Sequence, residues 1–227
     1  MPEPLSTLPN ISERPRERLI RHGTDALTSA ELLSVILGTG LPGTPVLDFA
    51  HGLLKRFGGV RGLLAASTDE LRGVAGMGTA RICTLAAILA LVRRALEEDL
   101  ARDCLLDHPA RVKAYCTALL GHEQIERCMA LFLDNQYRLI VAEEISRGTL
   151  THTLIYPREL VKAGLRHHAA AVILVHNHPS GLARPSQADV ELTRLAREAL
   201  RVVDVHLLDH LVVAANRVVS MDELRLI

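Results

Sequence analysis

The chain has 227 residues, enough for one large domain or two small ones. Hydrophobic residues make up 48% of it and charged residues 23%, a balance that excludes a mainly disordered protein. Aromatic residues make up only 3%, which counts against single-strand nucleic-acid binders that stack bases on aromatic rings. Lys+Arg and Asp+Glu are both 26, which excludes a global polycation for nucleic acid or membranes.

Neither a membrane span nor a secretion signal is predicted. The longest apolar run, residues 85–92, is far shorter than the ~20 residues that cross a bilayer. The first ten residues hold Pro2, Glu3 and Pro4 instead of an apolar segment. The four cysteines have no CxxC spacing and indicate buried free thiols in a reducing compartment. We therefore expect a cytoplasmic protein without a membrane partner.

The first hundred residues predict short helices separated by glycines. Apolar residues recur at helical spacing over residues 29–37, 46–57, 60–66 and 79–96. Ser67 can cap a further helix, with Glu70 three residues later completing a capping box. We expect this part to be all-helical. The charged and polar stretch at 95–107 suggests a boundary, giving domains at 1–100 and 101–227.

After residue 110 the pattern alternates between helices and strands. Helices are predicted over residues 112–120, 157 to about 168, and 186–201. Strands are predicted over residues 127–133, 138–145, 171–175, 205–208, 211–214 and 217–221. This alternation indicates a mixed α/β domain.

Two histidines at the end of a predicted buried strand are the main chemical signal. His176 and His178 are two residues apart, so both imidazoles lie on the same side of the sheet. Pro179 ends the strand, and Asp189 follows in the first turn of the next helix. Two imidazoles and one carboxylate form a three-ligand site. A tetrahedral Zn²⁺ there would keep its fourth position open, as catalytic zinc does.

A plainer interpretation of the same residues stays open. Ser186 and Asp189 have the spacing of a capping box, and the Asp189 carboxylate is stabilised near a helix N-terminus. Paired histidines at a strand end can also be hydrogen-bonded without any metal. The full pattern of His176, His178 and Asp189, with Ser186 three residues before the aspartate, favours the metal site.

These motifs resemble known families. His176-x-His178-Pro179 followed by Pro185-Ser186-x-x-Asp189 resembles the JAMM motif of the JAB/MPN metalloproteases. Further segments resemble the bacterial RadC family, and the resemblance covers nearly the whole chain. They are residues 13–17 (ERPRE), 57–59 (FGG), 146–150 (SRGTL), 156–159 (YPRE), 169–181 and 207–210 (LLDH).

The resemblance implies a helix-hairpin-helix-like N-terminal domain and a deaminase-like JAB/MPN α/β domain with one Zn²⁺ per chain. It also implies a distant catalytic glutamate, for which Glu126 is the best match and Glu143 and Glu144 compete. That carboxylate would act as general base and acid. Ser186 is either a helix N-cap or, by the resemblance, a donor to the oxyanion of the tetrahedral intermediate.

Residues 71–81 resemble a helix-hairpin-helix. The glycines at Gly76 and Gly78 allow a tight turn, and backbone N–H groups at Thr79 could hold a phosphate of DNA without reading its sequence. The alternative is a hairpin used for packing or protein contact, since only Arg72 and Arg81 lie close by.

The sequence thus predicts a zinc-dependent metallohydrolase that acts on a peptide or isopeptide bond of a peptide or protein substrate. The HExxH zinc motif and the Pro-Cys-x-x-Cys element of nucleobase deaminases are absent from the sequence. Two alternatives remain. One is a DNA-binding accessory protein of repair or recombination with a structural or vestigial metal, and the other is a metal-dependent nuclease.

Overall fold

A computed structural model describes residues 14–148 and 156–227. The chain forms two compact units, Met1–Ala87 and Ile88–Ile227. The α-helices of the described residues are α1 Pro15–His22, α2 Ser29–Leu37, α3 Val46–Arg56, α4 Val60–Ala65, α5 Thr68–Arg72, α6 Thr79–Arg102, α7 Pro109–Leu120, α8 Pro157–Arg166 and α9 Gln187–Arg201. The strands are β1 Arg127–Leu133, β2 Leu139–Arg147, β3 Ala171–Asn177, β4 His206–Ala214 and β5 Arg217–Ser220.

Helices account for the regular structure of the first unit in its described part. Capping boxes begin two of them, Thr28 with Glu31 at α2 and Ser67 with Glu70 at α5, the second as predicted. Leucines, alanines and one phenylalanine of α2 and α3 form most of the buried core, which Met77 and the first turns of α6 complete. The expected all-helical character is therefore confirmed.

A five-stranded sheet forms the centre of the second unit in the described residues, in the order β2-β1-β3-β4-β5. Only the β3–β4 pair is parallel among its pairings in those residues. Alternate side chains of β1 and β3 enter two different cores. One core holds Met129, Leu131 and Val175 against α7, and the other holds Phe132 and Leu174 against α8 and α9. This mixed α/β layering confirms the predicted fold class.

Three differences from the predicted elements bear on the domain division and the site. Helix α6 continues to Arg102, through part of the stretch proposed as a boundary, so the division at residue 100 stays a prediction. Strand β3 continues through His176 to Asn177. Strand β4 is continuous where two strands were predicted, because Asp209 and His210 are accommodated by hydrogen bonds within the sheet.

Two smaller findings concern the cysteines and the helices. Cys116 and Cys128 are buried free thiols as expected, but Cys83 is exposed and Cys104 is half-buried. Among the helices of the described residues, none combines the length and apolar character that a bilayer crossing requires.

Candidate metal centre

The pairing of β1 with β3 explains why distant residues meet. The antiparallel register sets Cys128 opposite His176. Continued by two residues, the same register sets Glu126, just before β1, opposite His178. Because side chains two residues apart share a face, Glu126, His176 and His178 all lie on the α9 side of the sheet.

Helix α9 brings the carboxylate to this point. Ser186 caps the helix, and Asp189 stands at its third position with the reciprocal hydrogen bonds of a capping box. Asp189 Oδ1 lies 3.4 Å from His176 Nε2, and Asp189 Oδ2 lies 3.6 Å from His178 Nε2. The two Nε2 atoms are 2.9 Å apart. The capping box is therefore present, and it directs the carboxylate toward both histidines.

These separations suit a zinc ion. Ligand atoms about 2.0–2.1 Å from a tetrahedral zinc lie about 3.3 Å from one another. The Nε2–Nε2 separation of 2.9 Å and the 3.4 Å from His176 Nε2 to Asp189 Oδ1 lie around that value, and the 3.6 Å approach to His178 is made by the other oxygen, Oδ2. The site reaches solvent at His178, whose side chain is 18% exposed, whereas that of His176 is 3% exposed.

The hydrogen bond at Nδ1 of His178 determines which ring nitrogen carries the proton. Nδ1 lies 2.9 Å from the carbonyl oxygen of Leu182, and a carbonyl can only accept a hydrogen bond. The neutral ring therefore carries its proton on Nδ1. Its Nε2 lone pair points toward His176 and Asp189.

A longer chain of hydrogen bonds assigns the proton of His176. Thr193 donates its hydroxyl proton to the backbone carbonyl of Asp189, so its oxygen accepts from His210 Nδ1, 2.6 Å away. Neutral His210 then has a lone pair on Nε2, which accepts from His176 Nδ1 at 2.7 Å. The lone pair of His176 is left on Nε2. It faces the same point as that of His178, as a metal ligand requires.

Burial and neighbouring groups shift the pKa values of these residues in different directions. Burial lowers the pKa of His176 to about 4, so this ring is neutral at pH 7. Burial likewise lowers the pKa of His210. Burial raises the pKa of Asp189, but its hydrogen bond with His178 and the neighbouring groups outweigh burial and lower it overall. When His178 is protonated, its Nε2–H can donate to Asp189; this hydrogen bond raises the pKa of His178, so protons and metal ions compete there.

The predicted glutamate lies beside the histidine pair. A carboxylate oxygen of Glu126 and a ring nitrogen from each of His176 and His178 all lie within 4.8 Å of one another. Glu126 is half-buried, and its backbone carbonyl accepts from Gly148 N–H at 2.8 Å. This distance allows either direct binding of a metal or contact through one water.

The competing glutamates are engaged elsewhere. Glu143 and Glu144 lie in β2 and make hydrogen bonds with arginine and histidine side chains. Glu143 contacts Arg166 and His167, whereas Glu144 contacts Arg127 and Arg147. Hydrogen bonds from His167 and Arg166 lower the pKa of Glu143. Glu126 is therefore better placed than either to act at the histidines.

Ser186 has a defined hydrogen-bonding role. Its hydroxyl donates to Asp189 Oδ2 at 2.7 Å and accepts from Asp189 N–H at 3.2 Å. The N-cap interpretation is thus borne out by the geometry. Donation to an oxyanion would need this hydroxyl to turn away from Asp189, and that role stays a prediction.

In the first unit, the loop predicted to contact DNA lies against the loop that follows α2. Gly76 has φ +87°, and a Cβ there would come within 2.3 Å of Leu41. Arg81 donates to the carbonyls of Gly76 and Thr39. The guanidinium is therefore used to join two loops. Phosphate binding by Gly76, Gly78 and Thr79 stays a prediction.

Some residues behind the sequence predictions lie outside the described part of the chain. They are Pro2, Glu3 and Pro4 of the first ten residues, Glu13 of the ERPRE segment, and Thr149 and Leu150 of the SRGTL segment. Thr193, by contrast, was not predicted as a site residue. The available signal was a threonine on the buried face of α9, where its hydroxyl must find a partner.

Comparison with known proteins covers almost the whole chain. Residues 106–226 match a family profile described as RadC-like JAB domain, and residues 8–83 match one described as UPF0758 N-terminal. A UPF0758 protein of Bordetella pertussis is 52% identical over 221 residues, 97% of this chain and 96% of the relative. One from Bordetella petrii is 52% identical over the full length of both chains, and one from Methylibium petroleiphilum is 50% identical over 92% of this chain and 95% of the relative. These matches confirm the resemblance drawn from the motifs.

Proposed function

The chain belongs to the RadC family of proteins with a JAB domain, and on that premise we propose that it is a zinc-dependent hydrolase of peptide or isopeptide bonds. One observation carries the proposal. Donor atoms of His176, His178 and Asp189 lie 2.9–3.6 Å apart in pairs, and the hydrogen bonds at Nδ1 of each ring leave both Nε2 lone pairs facing this point. Such an arrangement is repulsive until a cation compensates it.

The donor set favours zinc over other common cations. Two imidazole nitrogens and one carboxylate suit Zn²⁺, whereas Mg²⁺ and Ca²⁺ prefer oxygen ligands. When bound, zinc supplies a Lewis acid that polarises a carbonyl and acidifies water. We infer one ion per chain.

The chain's own side chains then have distinct roles. Glu126 accepts a proton from the attacking water and later passes it to the departing amine. Its carboxylate is within reach because it lies beside His176 and His178. Ser186, after turning from Asp189, donates its hydroxyl proton to the oxygen on which negative charge develops.

Two matched carboxylate-to-amide variants test these roles. Glu126→Gln keeps the side-chain shape and leaves the three ligands intact. We expect normal zinc content, measured by elemental analysis, and a loss of hydrolysis of about 10²–10⁴-fold. Asp189→Asn weakens a ligand, so zinc and activity should fall together. Activity is measured on fluorogenic peptide and lysine-isopeptide libraries.

The outcomes separate the alternatives. Loss of zinc in Glu126→Gln would make Glu126 a ligand or a support of the site. Wild-type hydrolysis in that variant would remove its role as base. Zinc-loaded wild-type protein that cleaves a phosphodiester but no peptide or isopeptide bond would replace the proposal with a nuclease, and zinc without any hydrolysis would indicate a structural metal.

A further inference from the structure

Asn177 lies between the two histidines of β3 and is only 2% exposed. Because strand side chains alternate, its amide points to the face opposite the metal centre. A buried amide needs partners for one acceptor and two N–H donors. Those partners are all backbone groups of the segment that carries Glu126.

Three hydrogen bonds connect this amide to that segment. Asn177 Oδ1 accepts from the backbone N–H of Arg127 at 2.8 Å. Its Nδ2 donates to the carbonyls of Ile125 at 3.0 Å and Glu123 at 3.3 Å. Two of these bonds therefore fall on the residues immediately before and after Glu126.

The position of these bonds follows from the sheet register. Backbone pairing of β1 with β3 begins at Cys128 and His176. Arg127, one residue nearer the site, is opposite Asn177 in the same register, and there the side-chain amide supplies the acceptor. The amide thus continues the connection between β1 and β3 beyond the last backbone pair of these two strands.

We propose that Asn177 is a positioning residue that holds the Glu126 carboxylate toward the His176–His178 pair. The proposal rests on the proposed function, in which Glu126 is the general base. Asn177 itself faces away from the reacting atoms and acts only through the backbone. On the other side of Glu126, Gly148 N–H holds its carbonyl at 2.8 Å, so Asn177 connects the segment to β3 and Gly148 connects it to the end of β2.

The expected phenotype is distinct from that of a ligand. In Asn177→Ala, kcat should fall about 10–100-fold, as for the loss of other hydrogen bonds that orient a site. KM and zinc affinity should stay unchanged, because the hydrogen bonds that orient His176 and His178 remain. Amide hydrogen exchange should accelerate over residues 123–127 and not in the rest of β1. Asn177→Ser, too short to reach both carbonyls, provides a second variant if alanine prevents folding.

A double variant gives the decisive comparison. If Asn177 acts through Glu126, Asn177→Ala in a Glu126→Gln background should cause no further loss of hydrolysis. Asn135→Ala, in the exposed turn between β1 and β2, is the matched control and should change none of these quantities.

Two results would overturn the proposal. One is an additive loss in the double variant, and the other is unchanged exchange over residues 123–127 in Asn177→Ala. These differ from failure of the proposed function, in which the wild-type protein cleaves neither peptide nor isopeptide probes. The exchange measurement in that case still decides whether Asn177 holds the segment.

Discussion

At the scale of single residues, the metal centre depends on which ring nitrogen of each histidine carries the proton. Both proton assignments end at a backbone carbonyl. For His178 it is the carbonyl of Leu182, and for His176 it is that of Asp189, reached by hydrogen bonds through His210 and Thr193. Because a carbonyl oxygen can only accept a hydrogen bond, the donor and the acceptor are fixed at every step of each series. The second series also returns to Asp189, whose carboxylate faces the two histidines. His176 and Asp189 are therefore oriented by one hydrogen-bonded path.

Thr193→Val tests that path. Valine has the same shape but neither donates to Asp189 nor accepts from His210, so the His210 proton is no longer directed to Nδ1. If His210 carries its proton on Nε2 instead, it donates to His176 Nδ1. The proton of His176 then lies on Nε2, the atom that we propose binds the metal. We expect zinc affinity to fall about 10–100-fold in competition with a chelating dye.

A matched substitution separates this effect from general loss of stability. Thr117 makes the same kind of bond to a carbonyl four residues earlier, that of Lys113, in α7. Thr117→Val should leave zinc affinity at the wild-type level. Equal affinities in Thr193→Val and wild type would show that the proton of His176 is not set by this chain.

The sequence was sufficient to predict the residues that meet at the site, but not the hydrogen bonds that orient them. His176, His178 and Asp189 follow from strand period, a proline and a helix start. The sequence alone does not show whether His210 is a core residue or a support of the site, because its contact with His176 depends on the β3–β4 register. Asn177 gives no sequence signal beyond a polar residue in a buried strand, since its partners lie some fifty residues away.

At the scale of elements, β2 carries a carboxylate that ties it to the end of α8. Glu143 is bound by Arg166 and His167, and its hydrogen bonds with them lower its pKa below the ordinary value of 4.5. The ionised carboxylate therefore stabilises the folded chain above that pH. This contribution disappears as the pH falls through the lowered pKa.

Glu143→Gln should show this pH dependence without affecting the site. Because the ion pair is partly exposed, we expect a loss of stability below about 1 kcal/mol at pH 7. The difference from wild type in urea unfolding should shrink as the pH falls below 4.5. Zinc content and hydrolysis should be those of wild type. A loss of hydrolysis with normal zinc would instead favour Glu143 as the general base.

Element prediction succeeded where periodicity and caps agree, and failed where tertiary contacts decide. The capping box at Ser67 and the strand Arg127–Leu133 were predicted with the observed limits. The break predicted within β4 was wrong, because buried hydrogen bonds stabilise Asp209 and His210 inside the strand. Helical spacing of apolar residues alone would place Leu195 on the buried face of α9, but it is 52% exposed, while the polar Thr193 is buried there.

At the scale of the whole molecule, the proposed ligands join two elements of the second unit. His176 and His178 come from β3 and the loop after it, and Asp189 comes from α9. An ion bound only by the folded chain stabilises it by about 2.7 kcal/mol at a hundred times its Kd. Adding zinc to metal-free protein should therefore raise the thermal midpoint of the wild type, and much less that of His176→Ala.

Zinc stoichiometry tests the central claim most directly. Elemental analysis of the purified full chain should give close to one zinc per chain in the wild type. The same amount is expected in His206→Ala, which changes an exposed histidine at the start of β4. Zinc should be lost in His176→Ala. Full zinc occupancy in His176→Ala, or a wild-type protein that binds no zinc when it is supplied, would contradict the metal centre on which the proposed function depends.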